Sequence, residues 1–261
     1  MNTSAMPLEL ALPGLATVKR WARWLCYLLC LSTLPAFAGN FGVSPIRVDL
    51  DRNARSGAIT VSNDDAQPLR VQIRLFEWTQ DSAGKDQYRE SEDLIYFPKL
   101  LVIDKDAQKL VRVGLRAPGG AQEKTYRLFV EELPGPPPPE ASPGARVTIA
   151  VRFGVPVFLK PAKTEARGVI EKIDLAKGAL RVVVRNTGNA HFVINTITAV
   201  SGDALSKEVA GWYLLAGSAR EHSILVPAEI CRKLKRIDVI AKTDQLELKG
   251  GVDVAESMCG P

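Results

Sequence analysis

Histidine and cysteine are scarce in this chain of 261 residues, two of the first and four of the second. With His191 and His222 the only imidazoles, and no Gly-x-Ser-x-Gly pattern, there is little from which to build a hydrolase. His191 as a base beside Asp174 or Glu171 is the one catalytic arrangement on offer, and a structural role for His191 in a turn is the simpler reading. Too few thiols follow residue 38 for a structural zinc site. No Gly-x-x-x-x-Gly-Lys-Ser/Thr sequence is present, so no phosphate loop of that kind exists and no ATP chemistry is called for. Neither metal nor cofactor is expected. No basic run interleaved with aromatics occurs, which argues against nucleic acid as a partner. No apolar run reaches the ~20 residues that span a bilayer, which argues against membrane insertion. A long helical period is missing too.

What the chain does have begins with an address. Lys19, Arg20 and Arg23 precede the apolar residues 24–34, and Pro35-Ala36-Phe37-Ala38 follows. A basic region, a short hydrophobic core and an Ala-x-Ala site together predict a secretory signal, residues 1–38, cut after Ala38. No cysteine follows the cut, so a lipoprotein is not expected. Cys26 and Cys30 leave with the signal, and Cys231 and Cys259 remain. An oxidising compartment favours their pairing, which would staple the C-terminal tail; two free buried thiols are the alternative. Of the formal charge of +5, the signal carries Lys19, Arg20 and Arg23 against Glu9, leaving about +3 spread along the remainder.

The rest of the sequence is organised around residues 146–161. Val147, Ile149, Val151, Phe153 and Val155 share one parity; Arg146, Thr148, Ala150, Arg152, Gly154 and Pro156 share the other. A period of two over this length predicts a long β-strand with one apolar face, ended by Lys160-Pro161. That face either packs into its own core or is offered to another protein by strand addition. Upstream, residues 69–78 alternate Leu69, Val71, Ile73 and Leu75 against Arg70, Gln72, Arg74 and Phe76. Further strands are expected at 42–51, 58–62, 94–102 (broken by Pro98), 110–116 and 126–133, with a proline-rich loop at 134–139. Beyond a polar linker at 160–166, apolar runs resume at 168–175, 180–185, 192–200, 210–215, 223–226, 236–241 and 246–248. Strands every dozen or so residues predict an all-β protein of sandwich type, in two domains meeting near Pro161: 39–161 and 162–261.

These segments in this order resemble the periplasmic chaperones of the chaperone–usher pathway, which assemble fimbriae. The resemblance rests on Val43-Ser44-Pro45-Ile46-Arg47-Val48, Val61-Ser62-Asn63, Tyr126-Arg127-Leu128-Phe129-Val130-Glu131-Glu132-Leu133-Pro134, the strand from Val147 to Pro161, and Gly211-Trp212-Tyr213-Leu214. It implies two immunoglobulin-like β-sandwich domains set at an angle with a cleft between them. It implies a non-enzymatic protein of the periplasm whose partners are fimbrial subunits and an outer-membrane usher. The family lends a strand to a subunit that lacks one, which places Val147, Ile149, Val151 and Phe153, with Val155 next, on the subunit-binding positions. An apolar edge left free also invites a dimer of the free protein.

The resemblance also implies a cationic anchor for the subunit's terminal carboxylate. Arg47 falls on the family's first-strand arginine. The family's second cation, a lysine near the end of the lent strand, is replaced by Pro156. Arg152 and Lys160 share its parity, each roughly 13 Å away at ~3.3 Å per residue, and Arg152 is the favoured substitute. Gly154-Val155-Pro156-Val157 and Gly211-Trp212-Tyr213-Leu214 look more like the archaic or alternative branch. The rival reading is a secreted immunoglobulin-like structural or binding module, such as a fimbrial subunit or adhesion domain. Residues 39–50 are short and carry Pro45, unlike a subunit's donor extension, and a full second domain follows Pro161; both features favour the chaperone.

Overall fold

The computed structural model describes residues 41–116, 119–134 and 149–260. The expected signal, most of the proline-rich loop and Val147 lie outside them. The first part of the chain forms β1 (Phe41–Ser44), β2 (Val48–Leu50), β3 (Ser56–Asn63), β4 (Leu69–Gln80), β5 (Asp86–Glu90), β6 (Leu94–Phe97), β7 (Leu100–Ile103), β8 (Gln108–Leu115), β9 (Lys124–Glu132) and β10 (Arg152–Leu159). Two sheets result, one ordered β1-β3-β8-β6 and the other β2-β10-β9-β4-β5 with β7 also on β4. Their inner faces enclose one core, built from residues such as Leu50, Ile59, Val71, Ile73, Val111, Leu128 and Val157. The alternation in β4 works as written: Leu69, Val71, Ile73 and Leu75 are buried and Arg70 is exposed.

The second part forms β11 (Gly168–Ala176), β12 (Ala179–Asn186), β13 (Phe192–Ser201), β14 (Leu205–Ala210), β15 (Tyr213–Leu214), β16 (Ala219–Leu225), the single-turn helix α1 (Ala228–Cys231), β17 (Arg236–Thr243) and β18 (Glu247–Asp253). Sheets β11-β12-β16 and β14-β13-β17-β18 face each other over a separate core that includes Leu180, Phe192, Ile197 and Val239. A disulfide joins Cys231 of α1 to Cys259, Cα to Cα 5.7 Å. A buried asparagine ends β3 in the first sandwich and β12 in the second. Asn63 Nδ2 donates to the Gln67 and Ile103 carbonyls, and Asn186 Nδ2 donates to those of Ala190 and Leu214. Each side chain thus satisfies one loop carbonyl and one at the end of a short strand.

A small third cluster of Trp78, Phe158 and Leu215, with Tyr213 against it, lies between the two cores. Trp78 has the parity of the outward-facing Arg70, yet it is fully buried because the second sandwich covers it. Polar contacts fix the joint: Gln80 donates to the Tyr213 carbonyl (2.9 Å) and accepts from the Leu215 amide (3.0 Å). Asn189 donates to the Ala121 and Lys163 carbonyls. His191, read from the sequence as a structural residue of a turn, follows the bend at residues 188–190. It is buried in the joint, with its Nδ1 2.7 Å from Glu123 Oε2 and its ring stacked 3.6 Å from Phe158. Among the described residues no helix is long and apolar enough to cross a membrane.

Candidate functional site

The site is built on β10. It runs antiparallel to β9, pairing Arg152 with Glu131 through Leu159 with Lys124, and parallel to β2 only from Val157 to Leu159. The strand was expected to start near residue 146. Residues 146–148 lie outside the described ones, and among the described residues its ladder begins at Arg152. The last rungs are the Glu132 amide on the Val151 carbonyl (2.9 Å) and the Val151 amide on Glu132 Oε2 (3.1 Å). Residues 152–156 therefore have β9 on one side and, among the described residues, no strand on the other. Unpaired N–H and C=O groups on such an edge are a template for another chain.

The side chains of the apolar parity change from exposed to buried along the strand. Ile149 is 80% exposed, Val151 half-buried, Phe153 39% exposed and Val155 3% exposed. Val155 is thus already part of the chain's own core, while Ile149 and Phe153 overhang it. Phe153 is steadied by an edge-on contact with Phe41, centroids 5.1 Å apart.

The three cations singled out from the sequence differ in what they already hold. Arg47 grips Asp49 through Nε (2.9 Å) and Nη2 (2.8 Å) and lies 4.7 Å over the Phe158 ring. Lys160 Nζ shares the same carboxylate at 3.3 Å. Partial burial works most strongly against both charges, but the Arg47–Asp49 bond and the surrounding charge attractions, Lys160 among them for Asp49, together outweigh it, so the guanidinium is held above and the carboxyl below their ordinary pKa ranges. Two cations on one anion leave the cluster positive. Arg152 bonds Glu131 at 2.7 Å and stacks on Phe129 at 3.6 Å.

Arg127 is the residue the sequence reading did not single out. It sits on β9 directly opposite Pro156, only 6% exposed, its guanidinium 3.9 Å over Trp78 and flanked by Trp212 and Tyr213 of the second sandwich. Its Nη1 donates to the Gly154 carbonyl (3.0 Å), and among the described residues it meets no carboxylate. Trp212, an exposed aromatic, is held beside it by an indole N–H bond to Asp86 (3.1 Å). The Tyr88 phenol is held above its ordinary pKa by burial and by Asp86, and drawn back by Arg127 and Arg152. The signal available in the sequence was the hairpin register: pairing β9 against β10 sets an arginine against the proline that stands in the lysine position.

Two linked immunoglobulin-type sandwiches thus leave, among the described residues, a strand edge open beside a cationic joint. Residues 40–165, the first sandwich, match the family model for the pili and flagellar-assembly chaperone, PapD N-terminal domain. Solved structures share the fold over most of the chain. The chaperone–tip adhesion subunit complex of the archaic Csu pili of Acinetobacter baumannii is 20% identical, with a TM-score of 0.58, covering 80% of this chain and 98% of that one. The Salmonella enterica complex of SafA pilin with the SafB chaperone is 15% identical, with a TM-score of 0.52, covering 83% and 98%. The Pseudomonas aeruginosa CupB2 chaperone is 14% identical, with a TM-score of 0.51, covering 82% and 100%. No curated protein matches the chain in sequence.

Proposed function

We propose that the chain is a periplasmic chaperone that holds fimbrial subunits by lending them β10 and hands them to an outer-membrane usher. The observation that carries this reading is the open edge at residues 152–156 with Ile149 and Phe153 exposed beside it. The Csu chaperone is seen with a tip adhesion subunit and the Saf chaperone with a pilin, which supports a subunit as the partner. Export through a signal ending at Ala38, and domains at 39–161 and 162–261, complete the assignment.

In this mechanism an incomplete subunit takes main-chain hydrogen bonds from the open edge, while Val147, Ile149, Val151 and Phe153 fill its groove and Val155 anchors the strand in the chaperone. The subunit's terminal carboxylate lies in the joint on Arg47 and Arg127. Arg127 is taken as the second cation because it meets no carboxylate among the described residues, whereas Arg152 is engaged by Glu131. No bond is made or broken, so the protein acts as a binder and not as an enzyme. The test is co-expression in the periplasm with subunits encoded beside the gene, followed by pull-down. Wild type gives a one-to-one complex, and Ile149→Asp, Arg47→Ala and Arg127→Ala lose it. A complex that survives Ile149→Asp contradicts strand lending.

A further inference from the structure

We infer that Pro156 sets the register in which a partner strand adds to β10, ending the shared ladder at Gly154 so that the partner's terminal carboxylate meets Arg127. The inference rests on the strand-lending reading above and adds a specificity determinant to it.

The Glu132 amide bonds the Val151 carbonyl, so residues of odd number on β10 turn their N–H and C=O toward β9. Even-numbered residues turn theirs away, as the Lys160 amide bonding Leu50 of β2 bears out (2.8 Å). Along that even row β2 pairs with the strand only from Val157 onward, so the amide side of Pro156 is the first group it leaves uncovered, and Pro156 has no N–H there. Arg152 and Gly154 are exposed, whereas Pro156 is buried. An ordinary residue at 156 would place an amide donor, buried and unpartnered, at the inner end of the edge. A partner strand therefore finds donors at 152 and 154 and none at 156.

Gly154 completes the arrangement. A Cβ there would lie 3.0 Å from the Phe129 ring and 3.6 Å from Arg127 Cδ. Its absence lets the Arg127 side chain cross from β9 and put Nη1 on the Gly154 carbonyl, the group at which the ladder stops. Stop and anchor thus coincide. A partner slipped by one residue turns its apolar row to the wrong face. A slip of two keeps the face but sets a carbonyl against Pro156 with no donor, and carries the carboxylate past Arg127.

The test uses a subunit encoded beside the gene, purified with the chaperone, with its native C-terminus or extended by two residues. Against wild type the extension weakens binding by about tenfold or more, the scale of a lost charge-assisted hydrogen bond. Pro156→Ala, which supplies the missing amide, narrows that discrimination to within about threefold, and the new amide at position 156 becomes protected from exchange in the extended complex. Pro156→Thr repeats the test with a residue suited to a strand, should the first variant fold poorly. If every chaperone variant binds the subunit and discriminates equally, the register inference falls and strand lending stands. If wild type binds neither subunit, the strand-lending reading falls and this inference with it.

Discussion

Replacing Arg127 by leucine separates a binding cation from a structural one. In the free protein the guanidinium stacks 3.9 Å over Trp78 and donates to the Gly154 carbonyl at 3.0 Å. The stack is worth about 1–2 kcal/mol, and a hydrogen bond from a charged donor about 1.5–3 kcal/mol. Against these stands the cost of keeping a guanidinium 6% exposed with no carboxylate beside it, several kcal/mol for an ion removed from water. The terms oppose each other at similar size, so urea unfolding of Arg127→Leu should move by no more than about 2 kcal/mol in either direction. Subunit binding should respond far more. Removing one partner of a buried, hydrogen-bonded charge pair costs about 2–5 kcal/mol, roughly 30-fold to several thousand-fold in Kd. Arg127→Lys, which keeps the charge but loses the planar fork, should fall between. Titration calorimetry with a purified subunit reads the affinities. Affinity held within about threefold while unfolding loses more than ~4 kcal/mol would refute the anchor and make Arg127 a strut of the joint.

Ile149→Asp, at a residue 80% exposed, should leave the chaperone's melting within about 0.5 kcal/mol of wild type while abolishing the complex, whereas Val155→Asp, at a residue 3% exposed, should fail to fold; circular dichroism alongside pull-down distinguishes them. Cys231→Ser opens a bridge spanning 28 residues, for which chain entropy predicts a loss of about 3–4 kcal/mol, read by thermal unfolding in parallel with the reduced wild type. His222 is held down to about 4 by burial and then by Arg220. The unfolded chain therefore binds the proton first, and stability should decline as pH falls from about 6.5 toward 4. His222→Gln should flatten that slope in pH-dependent urea unfolding.

The alternating strands were legible because each has one apolar parity and a core to receive it, as in Leu69, Val71, Ile73 and Leu75. β5 (Asp-Gln-Tyr-Arg-Glu) was not, since it is an edge strand with no buried residue, held by its hairpin to β4. β18 was read only at its start, because Gly250-Gly251 looks like a turn until β17 pairs with it. The apolar row of β10 was plain, but where its ladder on β9 begins is a fact of pairing and not of composition. The anchor was half legible. Arg47 follows from its motif, but Asp49 and Lys160 appear beside it only in three dimensions. Arg127 reads as an ordinary outward arginine until Trp78, Trp212 and Tyr213 close around it from both sandwiches.

Strand lending is tested most directly by amide exchange at Arg152 and Gly154 of the ¹⁵N-labelled protein, free and in complex with a subunit. Both amides face the open side of β10 and should exchange readily in the free protein. On binding they should become protected together, while exchange in β14, on the second sandwich, stays unchanged. A tight complex in which Arg152 and Gly154 remain as exposed as before would contradict the account, because the subunit would then be held elsewhere.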